Sequence, residues 1–141
     1  MEDVSLTSEQ EAIKKRLIER FPDGIGKYIE CDKGWYRLLD DLNNKLAYID
    51  PDYKIYQVKE KFGTLRLYYN TSTNDFLRSM MDDFVISAEK QSAILCEICG
   101  NGAGKNKIDF DPTVKIREVG RIRTLCDTCV ASQNIKKLNK K

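Results

Sequence analysis

The sequence contains no histidine at all. That absence removes the imidazole general base, the Ser-His and Cys-His nucleophile pairs and every imidazole metal ligand. It also has no apolar run approaching the roughly 20 residues that cross a bilayer, no internal repeat and no low-complexity tract. The opening residues Met1-Glu2-Asp3-Val4-Ser5 are acidic where a secretory signal is basic. Together these absences predict a cytoplasmic protein that does not engage membranes. A reducing compartment favours metal ligation over disulfides for paired cysteines.

Among the residues present, 41% of the 141 are hydrophobic and 33% are charged, which fits one globular unit. The net charge of +2 hides an asymmetry: residues 1–100 carry 14 Lys/Arg against 18 Asp/Glu, and residues 101–141 carry 10 against 4. A basic C-terminal third suggests nucleic acid or an acidic protein surface as partner, although a solvated charged face reads the same way.

Periodicity predicts the elements. Thr7 or Ser8 with Gln10 and Glu11 forms a capping signal ahead of Ile13, Leu17 and Phe21. A second helix carries Trp35, Leu38, Leu39, Leu42, Leu46 and Ile49 as one apolar stripe and stops before Pro51. Tyr53 to Lys59 and Leu65 to Tyr69 flank a turn containing Gly63 and predict a hairpin whose Leu face packs on the second helix. A third helix from about Asp75 to Ala93 places Phe76, Met80, Phe84 and Ala88 at i+4 intervals. The expected fold class is α+β, with three helices packed on a β-hairpin over residues 1–95. A four-cysteine treble-clef zinc module over 96–141 docks against them within one globular unit.

The module rests on Cys96, Cys99, Cys126 and Cys129. Cys96-Glu97-Ile98-Cys99-Gly100 has knuckle spacing, and Cys126-Asp127-Thr128-Cys129 opens a helix whose N-terminus favours thiolate charge. Val114 to Val119 and Arg121 to Leu125 alternate around Gly120 as the two intervening strands. Four sulfurs suit one structural Zn2+ with a closed coordination sphere; tetrahedral all-sulfur sites also suit iron, and a dithiol redox pair is the remaining alternative. With no vacancy for water and no histidine, nuclease chemistry of the His-and-Asn treble-clef type is excluded. Cys31 is the spare, read as a small buried hydrophobe or an inert thiol.

Gly34-Trp35, then Gln57-Val58-Lys59-Glu60-Lys61-Phe62-Gly63 with Leu65-Arg66, then Cys96-Glu97-Ile98-Cys99-Gly100 and Thr124-Leu125-Cys126 follow one another along the sequence. Over about residues 31–129 the chain resembles a group of small uncharacterised proteins of bacteriophages and bacteria. The resemblance implies a phage or mobile-element setting, hence the host cytoplasm.

Three functions compete. The first is contact with nucleic acid through Lys115, Arg117, Arg121, Arg123 and the tail lysines Lys136, Lys137, Lys140 and Lys141, with Tyr53, Tyr56, Tyr68 and Tyr69 as a stacking platform on the first hairpin. The second is a protein-binding adaptor or inhibitor of a host or defence protein. The third is an enzyme using Asp40, Asp41, Asp82, Asp83 or Glu60-Lys61. Adjacent carboxylates on a helix diverge, and no small-molecule substrate is identified, so a non-catalytic macromolecule-binding protein is expected, nucleic acid ahead of protein. The oligomeric state is not encoded in these patterns.

Overall fold

The structure, a computed structural model, describes residues 6–104 and 109–139, the segment 134–139 by its backbone alone. Thr7 starts α1 (Ser8–Ile18) with the capping box read from the sequence. Its hydroxyl accepts the Gln10 N–H at 3.1 Å, and the Gln10 side chain accepts the Thr7 N–H at 2.9 Å. Ile13, Leu17 and, beyond the helix end, Phe21 are buried. They meet α2 (Tyr36–Ile49), entered through a 3-10 turn at Lys33–Trp35. The predicted α2 stripe is the centre of the core: Trp35, Leu38, Leu39, Leu42 and Leu46 are buried and Ile49 is half-buried. Asn43, buried on the same helix, accepts the Tyr53 hydroxyl at 2.5 Å, so the polar group of this buried ring is satisfied.

The first sheet has three strands where a hairpin was predicted. β1 (Ile29–Glu30) runs parallel to β2 (Lys54–Lys61), which pairs antiparallel with β3 (Thr64–Asn70). Two residues are too few to show an alternation, so β1 leaves no periodic trace. Ile55, Val58, Leu65 and Leu67 fill the inner face, while Gln57 opposite Tyr68 and Lys59 opposite Arg66 occupy the outer one. β2 and β3 join through a two-residue turn, Phe62-Gly63, with φ of +54° and +88°. Such turns favour Asn-Gly. Phenylalanine in this left-handed region costs about 1–2 kcal/mol.

α3 (Asp75–Ser92) is capped by Asn74, which accepts the Leu77 N–H. Its buried face corrects the predicted stripe: Phe76 is 75% exposed and Met80 is also exposed, whereas Met81, Val85, Ala88 and Ser92 are buried. A strict i+4 row advances about 40° around the helix at each step and leaves the core after two or three. The observed row alternates steps of four and three and stays in place. α3 lies along β3, and the Leu65 and Leu67 amides donate to Ser92 Oγ at 2.8 Å and Glu89 Oε2 at 3.4 Å. The helix thus lies along the edge strand β3, beside the Leu face for which the sequence predicts α2 as cover.

The C-terminal part consists of β4 (Lys115–Glu118) antiparallel to β5 (Ile122–Leu125), then α4 (Asp127–Asn139). A second apolar cluster, distinct from the main core, forms here from Cys96, Val114, Leu125, Cys126 and Cys129. Among the described residues the architecture is therefore mixed α and β, with four α-helices, two small sheets and a four-cysteine cluster near the C-terminus. No helix of the described residues is long and apolar enough to cross a membrane.

Candidate metal centre

Two local structures deliver the four sulfurs. In the knuckle, Cys96 N–H donates to Asn101 O at 2.8 Å and Gly100 N–H to Cys96 O at 2.9 Å. Gly100 at φ +83° turns the chain back, a conformation that other residues adopt only with strain. Cys126 follows β5 directly, and Cys129 lies in the first turn of α4, its N–H 3.5 Å from Cys126 Sγ. That turn is fastened to the hairpin: Asp127 N–H donates to Thr113 Oγ1 at 3.0 Å, and Arg117 bonds Asp127 Oδ1 at 2.5 Å.

The four Sγ atoms all lie within 4.8 Å of one another. Thiolates 2.3 Å from a tetrahedral zinc stand about 3.8 Å apart, and Cys99 Sγ to Cys126 Sγ is 3.7 Å. Cys96, Cys126 and Cys129 are buried while Cys99 is exposed. Electrostatics sort them further. Burial opposes ionisation of Cys96, but backbone hydrogen bonds from Cys99, Cys126 and Ile98 outweigh it and lower its pKa. Burial and the neighbouring Cys96 push Cys99 up to about 11, and burial with the surrounding thiols raises Cys129 further. At Cys99 and Cys129 the neighbouring sulfurs oppose ionisation, and a divalent cation at the centre of the cluster removes that opposition. The cluster fits a metal ion, as the spacing predicted.

The predicted basic ribbon has a different fate. Arg117 donates to Leu125 O, Thr113 O and Asp127. Arg121 pairs with Glu60. Arg123 is buried between Glu97 at 3.0 Å and Asp32 at 3.0 Å. Three of the four positive side chains of the hairpin therefore meet carboxylates of the protein itself, and Lys115 alone of the four has no ion pair among the described residues. The alternation on which the ribbon was read is real, but alternation says nothing of what faces it. The side chains of Lys136 and Lys137, with Lys140 and Lys141, lie outside the described residues. Of the tyrosine platform, Tyr53 is core, Tyr69 is half-buried with its hydroxyl on Asp82, and only Tyr56 and Tyr68 are exposed.

The sequence reading missed the seam between the two clusters. Glu97, 1% exposed, binds Arg123 Nε through Oε1 and accepts the Asp32 N–H at 2.9 Å through Oε2. Its backbone O accepts the Gly34 N–H at 2.7 Å, and its N–H donates to Thr124 O at 3.0 Å. A Cβ on Gly34 would stand 2.2 Å from Cys96 O, so this backbone approach requires glycine. Trp35 Nε1 donates to Leu95 O at 2.9 Å, and Thr124 Oγ1 donates to Gly63 O at 2.5 Å. The Gly34-Trp35, Glu60-to-Gly63, Cys96-to-Gly100 and Thr124-Leu125-Cys126 motifs are thus one contact surface. Nothing in their spacing along the chain announces this, and only coordinates turn the four motifs into a joint.

Of the candidate acid-base groups, Asp40 is held by Arg16 at 3.1 Å, Asp82 by Tyr69, and Glu60 by Arg121 and the Gly63 N–H. A groove of about 570 Å³ beside Cys99, between the start of α1 and the knuckle, is lined by charges of both signs, of which Arg37 pairs with Glu9. Cys31 is half-buried, and burial together with the Glu97, Asp32 and Glu60 carboxylates raises its pKa far above the ordinary thiol value of 9.0. Burial also raises Tyr53 and pushes Tyr36 up to about 12. Groups whose folded pKa is raised hold their protons in the native state after the unfolded chain has released them. Stability is therefore complete below about pH 9 and falls as pH rises beyond it. Urea midpoints of the metal-loaded protein should be level from pH 7 to 8.5 and lower at pH 10.5, with Cys31→Val removing part of the loss. A midpoint unchanged at pH 10.5 would contradict this assignment.

No family model matches the chain, and no curated protein and no solved structure matches it, so the function is argued from the site alone.

Proposed function

We propose that this chain is a non-catalytic recognition module whose C-terminal part is a treble clef held by one structural zinc ion, and whose partner is a protein. The observation that carries the reading is the four-cysteine cluster, a donor set that fills a tetrahedral zinc with protein sulfur and leaves no position for water or substrate. Knuckle, hairpin and helix-borne ligands follow in treble-clef order. A protein partner is favoured over nucleic acid because Arg117, Arg121 and Arg123 are held by internal carboxylates. Phosphate contacts require free cations, each of which steepens the salt dependence of binding.

A second reading keeps nucleic acid through the outer sheet face, where Tyr56 and Tyr68 are exposed near Lys59, Arg66 beside them being paired with Glu89. One set of measurements decides. Purified protein should contain one zinc per chain, and cobalt substitution should give the absorption of a tetrathiolate site. Electrophoretic titration with single- and double-stranded oligonucleotides should show no shift at physiological salt. A shift that Tyr68→Ala abolishes would establish the second reading, and metal-free native protein would defeat the first.

A further inference from the structure

Phe62 is the only non-glycine residue with positive φ among the described residues. Its ring is 65% exposed. Backbone strain of this kind persists only where the surroundings enforce it, and here they do. Glu60 Oε2 accepts the Gly63 N–H at 2.7 Å, Thr64 Oγ1 donates to Lys61 O at 3.2 Å, and Thr124 Oγ1 fixes Gly63 O from the second sheet. The same turn is overlaid by the second hairpin: a Cβ on Gly63 would meet Ile116 Cγ2 at 3.2 Å and Ile122 Cγ2 at 3.4 Å. Ile116 and Ile122 are themselves 48% and 37% exposed. An exposed aromatic thus stands one residue before the glycine that two exposed β-branched side chains overlie, on a frame stiffened by both sheets. Rigid aromatic anchors lose little entropy on binding, which makes them energetic centres of protein interfaces.

The rim specifies the partner. Lys61 precedes the ring and stands 5.7 Å from its centre, Lys115 adjoins Ile116, and Arg121 adjoins Ile122. Lys61 and Lys115 are exposed and have no ion pair among the described residues, and against them stands Glu118, opposite Ile122. We propose that Phe62, Ile116 and Ile122 form the docking surface for a protein segment that carries an apolar side chain flanked by Asp or Glu. The proposal rests on the recognition-module reading and names its site and partner chemistry. Because Phe62 belongs to the first sheet and both isoleucines to the metal-held hairpin, the surface exists only while the two are joined.

The test uses the zinc-loaded full chain and a display library of random dodecapeptides, with subtraction on Phe62→Asn. Asparagine suits the left-handed position, so this variant should unfold at the same urea concentration as the parent or higher while lacking the ring. Enriched peptides should combine an apolar residue with Asp or Glu. Their affinity should fall at least tenfold on Phe62→Asn and several-fold on Ile122→Thr, which leaves the turn untouched. It should weaken with added salt and strengthen on Glu118→Lys. The proposal is overturned if no peptide prefers the parent, if selected peptides are basic or indifferent to salt, or if Ile122→Thr binds unchanged. It is equally overturned if the Phe62-dependent ligand is a single-stranded oligonucleotide or a second copy of this chain seen by sedimentation. Should it fail while zinc stays at one per chain, the recognition-module reading stands without this site.

Discussion

Chelation of the metal is expected to unfold the hairpin and helix of residues 115–139 while α2 and the β2–β3 pair remain folded. The reason is the size of the two clusters. The main core contains Trp35, four leucines of α2, and the inner residues of the first sheet. The second contains Val114 and Leu125 with three of the cysteines, and only four half-buried neighbours. So few apolar groups cannot offset the ordering entropy of the hairpin and helix, at roughly 1–2 kcal/mol per residue for the backbone. Structural zinc contributes an apparent total of about 10–16 kcal/mol in small fingers, and its removal leaves that entropy uncovered. Hydrogen exchange after removal of the metal should show lost protection at Ile116, Arg123 and Val130 and retained protection at Leu42 and Val58. Cys126→Ser should give the same pattern. Unchanged exchange in the hairpin would mean that the module folds without its ion.

Glu97→Ala should lower stability by about 3 kcal/mol or more, the second large effect. Breaking a buried ion pair by removing one partner costs about 3–5 kcal/mol, because the other charge stays behind without compensation. Here Arg123 is stranded, retaining Asp32 alone, and the Asp32 N–H loses its acceptor. Replacing both charges, as in Glu97→Met with Arg123→Met, removes the penalty at its source and should recover most of the loss. The two variants separate charge from packing in one urea series on metal-loaded protein. Glu97→Ala within about 0.5 kcal/mol of the parent, the scatter of ordinary surface changes, would show that the seam holds without its ion pair.

How far the sequence was legible follows from the kind of information each feature carries. Helix α2 declared itself because Trp35 to Ile49 repeat with the helical period and every member points one way. The cysteines declared themselves because two equal spacings of a ligating residue have few other causes. Helix α3 was located correctly but turned, since Phe76 and Met80 look as apolar as Met81 and Val85, and only packing selects between adjacent faces. The arginines of β4 and β5 were misjudged for the same reason. Sequence showed their alternation, while their partners Asp127, Glu60, Glu97 and Asp32 lie 10 to 91 residues away along the chain and come to them only in the fold. Strand β1 and the left-handed Phe62 carried no pattern that propensity could read.

One consequence concerns Trp35, the sole tryptophan. Its indole is sealed in the interior, yet its N–H grasps the carbonyl that immediately precedes Cys96. The chromophore therefore sits astride the linkage between the cysteine cluster and the scaffold, and ultraviolet emission from the unlabelled molecule becomes a gauge of whether the two halves are engaged.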